Sequence, residues 1–355
     1  MNTAETPFGG GVSPRFTRRP KGQSTVEYVL IIAIIVLVVL IAGPWVSSAI
    51  RNQFNLVAGT LGSGTTGENF YDPEDIPDPE NGTAFAVYSE DDHSLMFYKR
   101  RGVPKVGDMF SYRRVTDVYT GFETEAYTGT WPNDNCPWYA IATQVKSVKA
   151  VDIIRPKSMA WWFNQFYYCK SFDLGNIDTS ECMSLRRLFS SCASCTSIIG
   201  LDRWNTDKII DLSATFDGLR SLTSIPGISG WNTGNVKYFA AVFYNLDRLE
   251  QLDISNWDDT SLAPGAFVTG IGDSKDIVGT SDGNMRFLRS FTVGAKWSRT
   301  GHLARCIELA SSSSVPVDGK WYAASDGAAY ESTAIPGNRA DTYYTTKALL
   351  DQARR

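Results

Sequence analysis

The sequence predicts an N-terminal transmembrane α-helix followed by an α/β solenoid, in which a parallel strand ladder with short helices is flanked by small β hairpins. One observation behind this fold class is an unbroken apolar run near the N-terminus, at residues 29–42. The other is a period of 26–27 residues that begins near residue 156. A chain of 355 residues is long enough for one anchor and one or two folded domains.

The apolar run has the features of a membrane-spanning segment. Every residue from 29 to 42 is Val, Leu, Ile or Ala, and the tract extends to residue 46. About 20 such residues span a bilayer as a helix. Basic residues on the N-terminal side predict a cytoplasmic N-terminus and an external remainder. Glu27 lies at the start of the apolar tract, where an acid is costly, so it is a candidate functional residue.

A processing site precedes this segment. A secretory signal peptide is cut after its apolar run, but here the small residue Gly22 lies before it. Cutting between Gly22 and Gln23 would remove a basic leader and leave the apolar segment on the mature chain. An ordinary signal anchor, with Glu27 in the headgroup region, is the alternative.

Residues 22–28, Gly-Gln-Ser-Thr-Val-Glu-Tyr, resemble the processing motif of Flp pilins, the type IVb pilins of tight-adherence systems, and the likeness covers about residues 15–62. The resemblance implies that a prepilin peptidase reads Gly22. It also implies that Glu27, beside Tyr28, acts in pilus assembly by pairing with the amine of Gln23 on a neighbouring subunit. Flp pilins are little more than this helix, so the long remainder here favours a minor pilin.

Composition shifts and the period divide the rest of the chain. A Gly/Ser stretch followed by prolines spaced by acids predicts a linker that is flexible and then extended. The predicted segments are a basic leader (1–22), a transmembrane and amphipathic helix (23–61), an acidic Pro-rich linker (62–82), an N-terminal β cap (83–155), four repeats (156–264), a C-terminal cap with a β hairpin (265–345) and a tail (346–355).

The repeats combine two apolar spacings. Phenylalanines recur at 163, 189, 216 and 243, and Trp or Ile recurs at 177, 204, 231 and 257. Before each Phe the spacing is that of one helix face, as in Val236, Phe239, Phe243 and Leu246. After it, a short-strand spacing follows. Such a unit cannot bury its apolar face alone, so stacked neighbours would build a continuous core.

The strand segments match the frame of leucine-rich repeats, with Ile or Trp at the usual Asn or Cys position, so the buried polar ladder is expected to be missing. Over about residues 82–345 the chain looks like the BspA-like leucine-rich-repeat surface proteins of bacteria. The matching motifs are Trp204-Asn205-Thr206, Trp231-Asn232-Thr233 and Ser255-Asn256-Trp257-Asp258. The resemblance implies a cell-surface adhesion or protein-binding role.

The exposed strand positions form the candidate binding face, since repeat folds bind along such surfaces. This small-polar surface suits an extracellular protein or a glycan, and a merely solvated face is the alternative. Its residues are Lys170, Ser171, Asp173, Thr196, Ser197, Thr223, Ser224, Glu250, Gln251 and Asp253.

Other function classes find little support in the sequence. A formal net charge of −4 disfavours nucleic-acid binding. Two histidines and the lack of any nucleophile or phosphate-binding motif predict no catalytic residue, no cofactor and no enzyme activity. The six cysteines suit core packing, a disulfide or, least, a metal. Cys169 and Cys195 are the best disulfide candidates, because they share one position on consecutive repeats.

These features together predict a bacterial adhesin-like minor pilin. It would begin as a single-pass protein of the cytoplasmic membrane with its C-terminal domain outside, and then enter a cell-surface pilus. Its partners would be the membrane, prepilin peptidase, other pilin subunits and an extracellular protein or glycan. The alternative is a signal-anchored surface protein with the same repeat domain and no part in a pilus.

Overall fold

A computed structural model describes residues 77–124, 136–261, 285–306 and 317–355. All of them belong to one compact unit, Tyr71–Arg355. The predicted leader, the predicted membrane segment and most of the predicted linker lie outside the described residues.

Six strands form the N-terminal sheet, in the order β5-β1-β2-β6-β7-β8. β1 and β2 make an antiparallel hairpin, and β5 pairs antiparallel with the free edge of β1. β6, β7 and β8 then add in parallel on the other side of β2. The bounds are Thr83–Ser89 for β1, Ser94–Arg100 for β2, Asp117–Thr120 for β5, Ser147–Ala150 for β6, Ser171–Asp173 for β7 and Ser197–Ile199 for β8.

A small hairpin covers the outer side of β1 and β2. Its strands are β3, Met109–Phe110, and β4, Arg113–Arg114. Phe110 packs there with outward residues of the two longer strands, in a second apolar cluster separate from the main core. The uncovered outer face of the sheet therefore begins at β6.

The C-terminal sheet has the order β12-β11-β13-β10-β9. β9 and β10 are parallel and continue the direction of the repeats, whereas β13 closes the sheet antiparallel to β10. The bounds are Gln251–Ile254 for β9, Ser290–Val293 for β10, Lys320–Ala323 for β11, Ala329–Glu331 for β12 and Asp341–Tyr344 for β13. Helices α1, Thr300–Cys306, and α2, Lys347–Ala353, are one or two turns long.

Segment 223–226 separates the two sheets. It occupies the strand position of the third repeat, but no strand is formed there. Pro226 lies 27 residues after Ile199 in β8 and 27 before Asp253 in β9, and it has no N–H to donate to a ladder. One backbone bond persists at its start, from Glu250 N to Thr223 O (2.9 Å).

Turns fill the part of each repeat where the spacing predicted a helix. Arg187 and Ser191 have positive φ, as do the residues at the same positions of the other repeats: Trp161, Gln165, Ala214, Gly218, Ala241 and Asn245. Two left-handed residues four apart interrupt any α-helix. The chain therefore makes successive tight turns, and the number of residues in each turn is close to that in one turn of a helix.

Backbone hydrogen bonds in these turns run between repeats. Leu185, Arg187 and Phe189 donate their N–H groups to carbonyls of the next repeat, at Asp211, Ser213 and Thr215 (2.9, 2.8 and 3.0 Å). In an α-helix the same N–H groups would bond four residues back.

The predicted fold class is therefore wrong. The described residues are mostly strands and turns, and α1 and α2 are the α-helices among them. The repeats contain 3₁₀ turns at Leu201–Arg203 and Ile228–Gly230 where an α/β class requires α-helices. No helix within these residues has the length and apolar character needed to cross a bilayer. The transmembrane helix predicted at 23–61 falls outside them.

Two aromatic ladders run through the core of the repeat stack. Phe189, Phe216 and Phe243 stack with ring centroids 6.0 Å apart at each step. Trp231 stacks between Trp204 and Trp257, at 5.9 and 6.2 Å. The 26–27-residue period thus places identical side chains on top of one another, which keeps the repeats in register.

Candidate binding face

The strand face is the uncovered outer surface of the parallel strands from β6 to β10, together with segment 223–226. One row of it is in direct register at Ser147, Ser171 and Ser197, and at Gln251 and Ser290. A second row contains Lys149, Asp173, Ile199, Pro226, Asp253 and Thr292. Inward side chains of the same strands, such as Phe172 and Leu252, are fully buried, so the alternation of a strand fixes which residues face out.

All ten residues predicted for the binding face lie on this surface. None is buried: Lys170, Ser171, Thr196, Thr223, Ser224, Gln251 and Asp253 are exposed, and Asp173, Ser197 and Glu250 are half-buried. Backbone bonds align a further row at the entry to the strands, from Lys170 N to Lys146 O and from Thr196 N to Lys170 O (2.9 and 3.0 Å). The geometry brings the predicted residues together, and the chemistry of the face follows from their side chains.

Hydroxyl groups dominate the middle of the strand face. Within the described part of the chain, the hydroxyls of Ser171, Ser197, Thr223 and Ser224 make no hydrogen bond to protein atoms. Each hydroxyl can donate one bond and accept two. The middle of the face therefore offers a regular set of donors and acceptors to water or to a ligand.

Charged side chains lie towards the two ends of the strand face and are partly paired. Lys149 contacts Asp173 at 3.0 Å, and Arg289 contacts Glu250 at 3.7 Å. These pairs are one-third to one-half exposed, so each contributes little to stability. Their effect is to leave an uncharged stretch between them.

Sequence reasoning missed several residues of this surface. Ser147, Lys149, Arg289 and Ser290 fall outside the four predicted repeats and extend the face at both ends. Ile199 was overlooked because it is apolar, yet 58% of its surface is exposed. The outward positions of the flanking strands could have been inferred from their alternating apolar residues.

A buried threonine ladder supports the repeats below the face, at a different position from the Asn or Cys ladder of leucine-rich repeats that the sequence predicts to be missing. The hydroxyl of Thr206 donates to Asn232 O and accepts from Asn232 N (2.9 and 2.8 Å), and Thr233 repeats this with Asp258. Trp231 Nε1 adds a bond to Leu201 O in the preceding repeat (2.9 Å). The polar ladder was missed because it lies two residues beyond the position at which leucine-rich repeats carry Asn.

Five of the cysteines in the described part of the chain are buried free thiols: Cys136, Cys169, Cys182, Cys192 and Cys195. The predicted disulfide candidates Cys169 and Cys195 are therefore unpaired in this structure. Burial raises the pKa of the Cys136, Cys182 and Cys195 thiols to about 12, which disfavours the reactive thiolate. They act as small apolar groups of the core.

The processing and assembly residues Gly22, Gln23, Glu27 and Tyr28 lie outside the described residues. Among the residues that are described, no group of three or more His, Cys, Asp or Glu side chains has an arrangement that could hold a metal ion.

Comparison with known proteins gives one match. Residues 157–265 match the family described as "Mycoplasma protein of unknown function, DUF285", which is found in BspA-like surface proteins. The match spans the repeats that carry the strand face and does not extend to the segment that resembles Flp pilins. No curated protein and no solved structure matches the chain. Residues 157–265 thus resemble the repeat domains of surface proteins.

Proposed function

We propose that this chain is an adhesin-like protein of the bacterial cell surface that binds an extracellular protein or glycan through the strand face. The supporting observation is the face itself: in-register rows of exposed polar side chains, on repeats that match a family found in surface proteins. A rigid ladder holds these groups at fixed spacing, which lowers the entropy lost on binding.

The proposal extends to export and assembly through the N-terminal motif. Prepilin peptidase would cut after Gly22, and the mature chain beginning at Gln23 would join other pilin subunits as a minor pilin. Glu27 and Tyr28 would act at the contact between subunits. The sequence motif at residues 22–28 supports this part of the proposal.

The N-terminus of the mature protein tests the processing step. Protein recovered from the cell surface should begin at Gln23 when sequenced from its N-terminus. A chain that begins at Met1, or after residue 46, would exclude prepilin processing.

Glu27→Ala separates the minor pilin from the alternative, a surface protein anchored by the same segment outside any pilus. For a pilin, loss of the carboxylate should reduce recovery in sheared pili at least tenfold, because the amine of Gln23 loses its partner. Cell-associated protein should stay constant. Glu5→Ala, in the predicted leader, is the matched control. Equal recovery of both variants in the sheared fraction would favour the anchored protein.

A further inference from the structure

Two exposed aromatic residues frame the strand face at equivalent positions. Tyr168 immediately precedes Cys169, and Phe287 immediately precedes Leu288. Cys169 and Leu288 each donate a backbone bond to the residue three before them, Phe166 or Met285 (3.1 and 2.9 Å). Cys195, Leu222 and Leu249 make the same turn bond in the intervening repeats. Tyr168 and Phe287 therefore belong to one row, with Ser194, Ser221 and Arg248 between them.

The two rings are solvent-exposed and well separated. Tyr168 has 61% and Phe287 54% of its surface exposed, although both are large apolar side chains. Four strand-to-strand steps separate them, which at the usual spacing is about 19 Å. More than half of the surface of each side chain is therefore accessible to a ligand and is not used in packing the core.

Between the two rings the strand face is uncharged at β8 and segment 223–226, whereas the repeat next to Phe287 carries Arg248, Glu250 and Asp253. The outward positions of β8 and segment 223–226 hold Ser, Thr, Ile and Pro, and the ion pairs Lys149–Asp173 and Arg289–Glu250 lie towards the ends. The free hydroxyls described above fill this region, and Ile199 adds an apolar patch at its centre. An uncharged partner suits the middle of this surface, because β8 and segment 223–226 present no ion with which a charged partner could pair.

These features of the strand face favour a polyhydroxyl ligand over a protein ligand. Binding centres of protein interfaces are rich in Trp, Tyr and Arg in well-packed pockets, whereas the middle of this face carries small hydroxyl side chains. Sugar hydroxyls complement serine and threonine hydroxyls, and the C–H side of a sugar ring packs on the negative face of an aromatic ring.

We propose that a linear, uncharged glycan lies along the axis of the repeats, with one sugar stacked on Tyr168, another on Phe287, and the hydroxyls of Ser197, Thr223 and Ser224 bonding the sugars between them. This inference rests on the proposed function and specifies its ligand. A chain of several sugars running across the strands meets one repeat of hydroxyls at each step.

The test measures binding of two uncharged linear hexasaccharides, cellohexaose and chitohexaose, to the purified full-length protein by calorimetry. At least one should bind. Tyr168→Ala and Phe287→Ala should each weaken binding about tenfold, since each removes one stacking contact. Tyr238→Ala is the matched control, because Tyr238 is also half exposed (50%) but lies away from the strand face, and its affinity should equal that of the wild type.

Ser224→Arg provides a second test, because it places a large charged side chain at an exposed position in the uncharged middle of the face. It should abolish binding. The circular dichroism spectrum should stay unchanged, which shows that the variant folds. Two results would overturn the inference: no binding of either hexasaccharide, or equal weakening by Tyr238→Ala and Tyr168→Ala. If the protein binds an extracellular protein through this face and neither sugar, the glycan is wrong and the proposed function stands.

Discussion

At the scale of single residues, the threonine ladder consists of hydroxyl groups but ends at a carboxylate. Thr179, Thr206 and Thr233 each donate to a carbonyl of the following repeat (2.8–2.9 Å). The next position in the series is Asp259, whose carboxylate accepts from Ser298 Oγ and Arg299 Nη1 (2.9 and 2.8 Å). A hydroxyl both donates and accepts and so can be stacked, whereas the acceptor-only carboxylate needs donors from the cap.

The ladder predicts that two Thr→Val substitutions lower the free energy of unfolding by different amounts. Thr206→Val should lower the free energy of unfolding by about 1–3 kcal/mol, because it removes the two hydrogen bonds that the buried Thr206 hydroxyl makes with the carbonyl and N–H of Asn232. Thr223→Val, at an exposed position of the same stack, should change it by less than about 0.5 kcal/mol. Urea denaturation of both variants checks this. Equal losses would show that the hydroxyl of Thr206 contributes nothing specific.

At the scale of elements, the sequence was sufficient for the inward side chains and insufficient for the backbone between them. Val236, Phe239, Phe243 and Leu246 are all buried, as their spacing requires. A helix and a series of four-residue turns place apolar residues at nearly the same intervals, so the pattern alone cannot distinguish them. The deciding bonds join residues about 26 apart, and local preference contains no information about them.

The sequence predicts more of the candidate face than of the backbone conformation between the strands. The positions of Ser171, Thr196 and Gln251 follow from the period and from strand alternation, both of which are visible in the sequence. Tyr168 and Phe287 were not found, because 39 residues separate Phe287 from Arg248, an interval longer than the period of 26–27 that hides its equivalence to Tyr168. The shared turn bond and the register of β9 with β10 reveal that relation.

Glycines at the entry of the 3₁₀ turns give the element-scale prediction. Gly227 has φ +92°, and a Cβ there would lie 2.4 Å from Asp202 N in the preceding repeat. Gly227→Ala should therefore destabilise the protein by more than about 2 kcal/mol, from backbone strain and from separation of two repeats. Gly230→Ala, three residues on, meets open space at ordinary φ and should cost nothing. Thermal unfolding of the pair decides, and a similar Tm for both would refute the close-packing argument.

At the scale of the whole molecule, the strand ladder is interrupted where the aromatic packing is continuous. The strand ladder is interrupted at segment 223–226, so hydrogen bonds define two sheets. The core is continuous across that interruption, because Phe189, Phe216 and Phe243 stack through it and so do Trp204, Trp231 and Trp257. Side-chain stacking and the backbone bonds of the turns, such as Leu212 N to Tyr238 O (2.9 Å), join the two halves of the repeat stack where the strand ladder does not.

Trp231 is the side chain on which this continuity depends most. It is fully buried, stacks on a tryptophan in each neighbouring repeat and donates to Leu201 O at 2.9 Å. Trp231→Ala should cost about 3–5 kcal/mol, as expected when a buried aromatic residue leaves a cavity. The loss of stability should also spread along the repeat stack, because repeats that contact only their neighbours transmit instability from one repeat to the next.

Hydrogen exchange followed by mass spectrometry measures that spread. In Trp231→Ala, amide protection should fall on both sides of the interruption, in β8 and in β9, while the β1–β2 hairpin keeps its own. Trp321→Ala is the matched control, since Trp321 is equally buried but packs on Phe291 in the C-terminal sheet. Its loss of protection should stay within β10 to β13. If the two variants exchange alike, the aromatic ladder does not carry the coupling between the sheets, and the backbone bonds that join the turns of neighbouring repeats must do so instead.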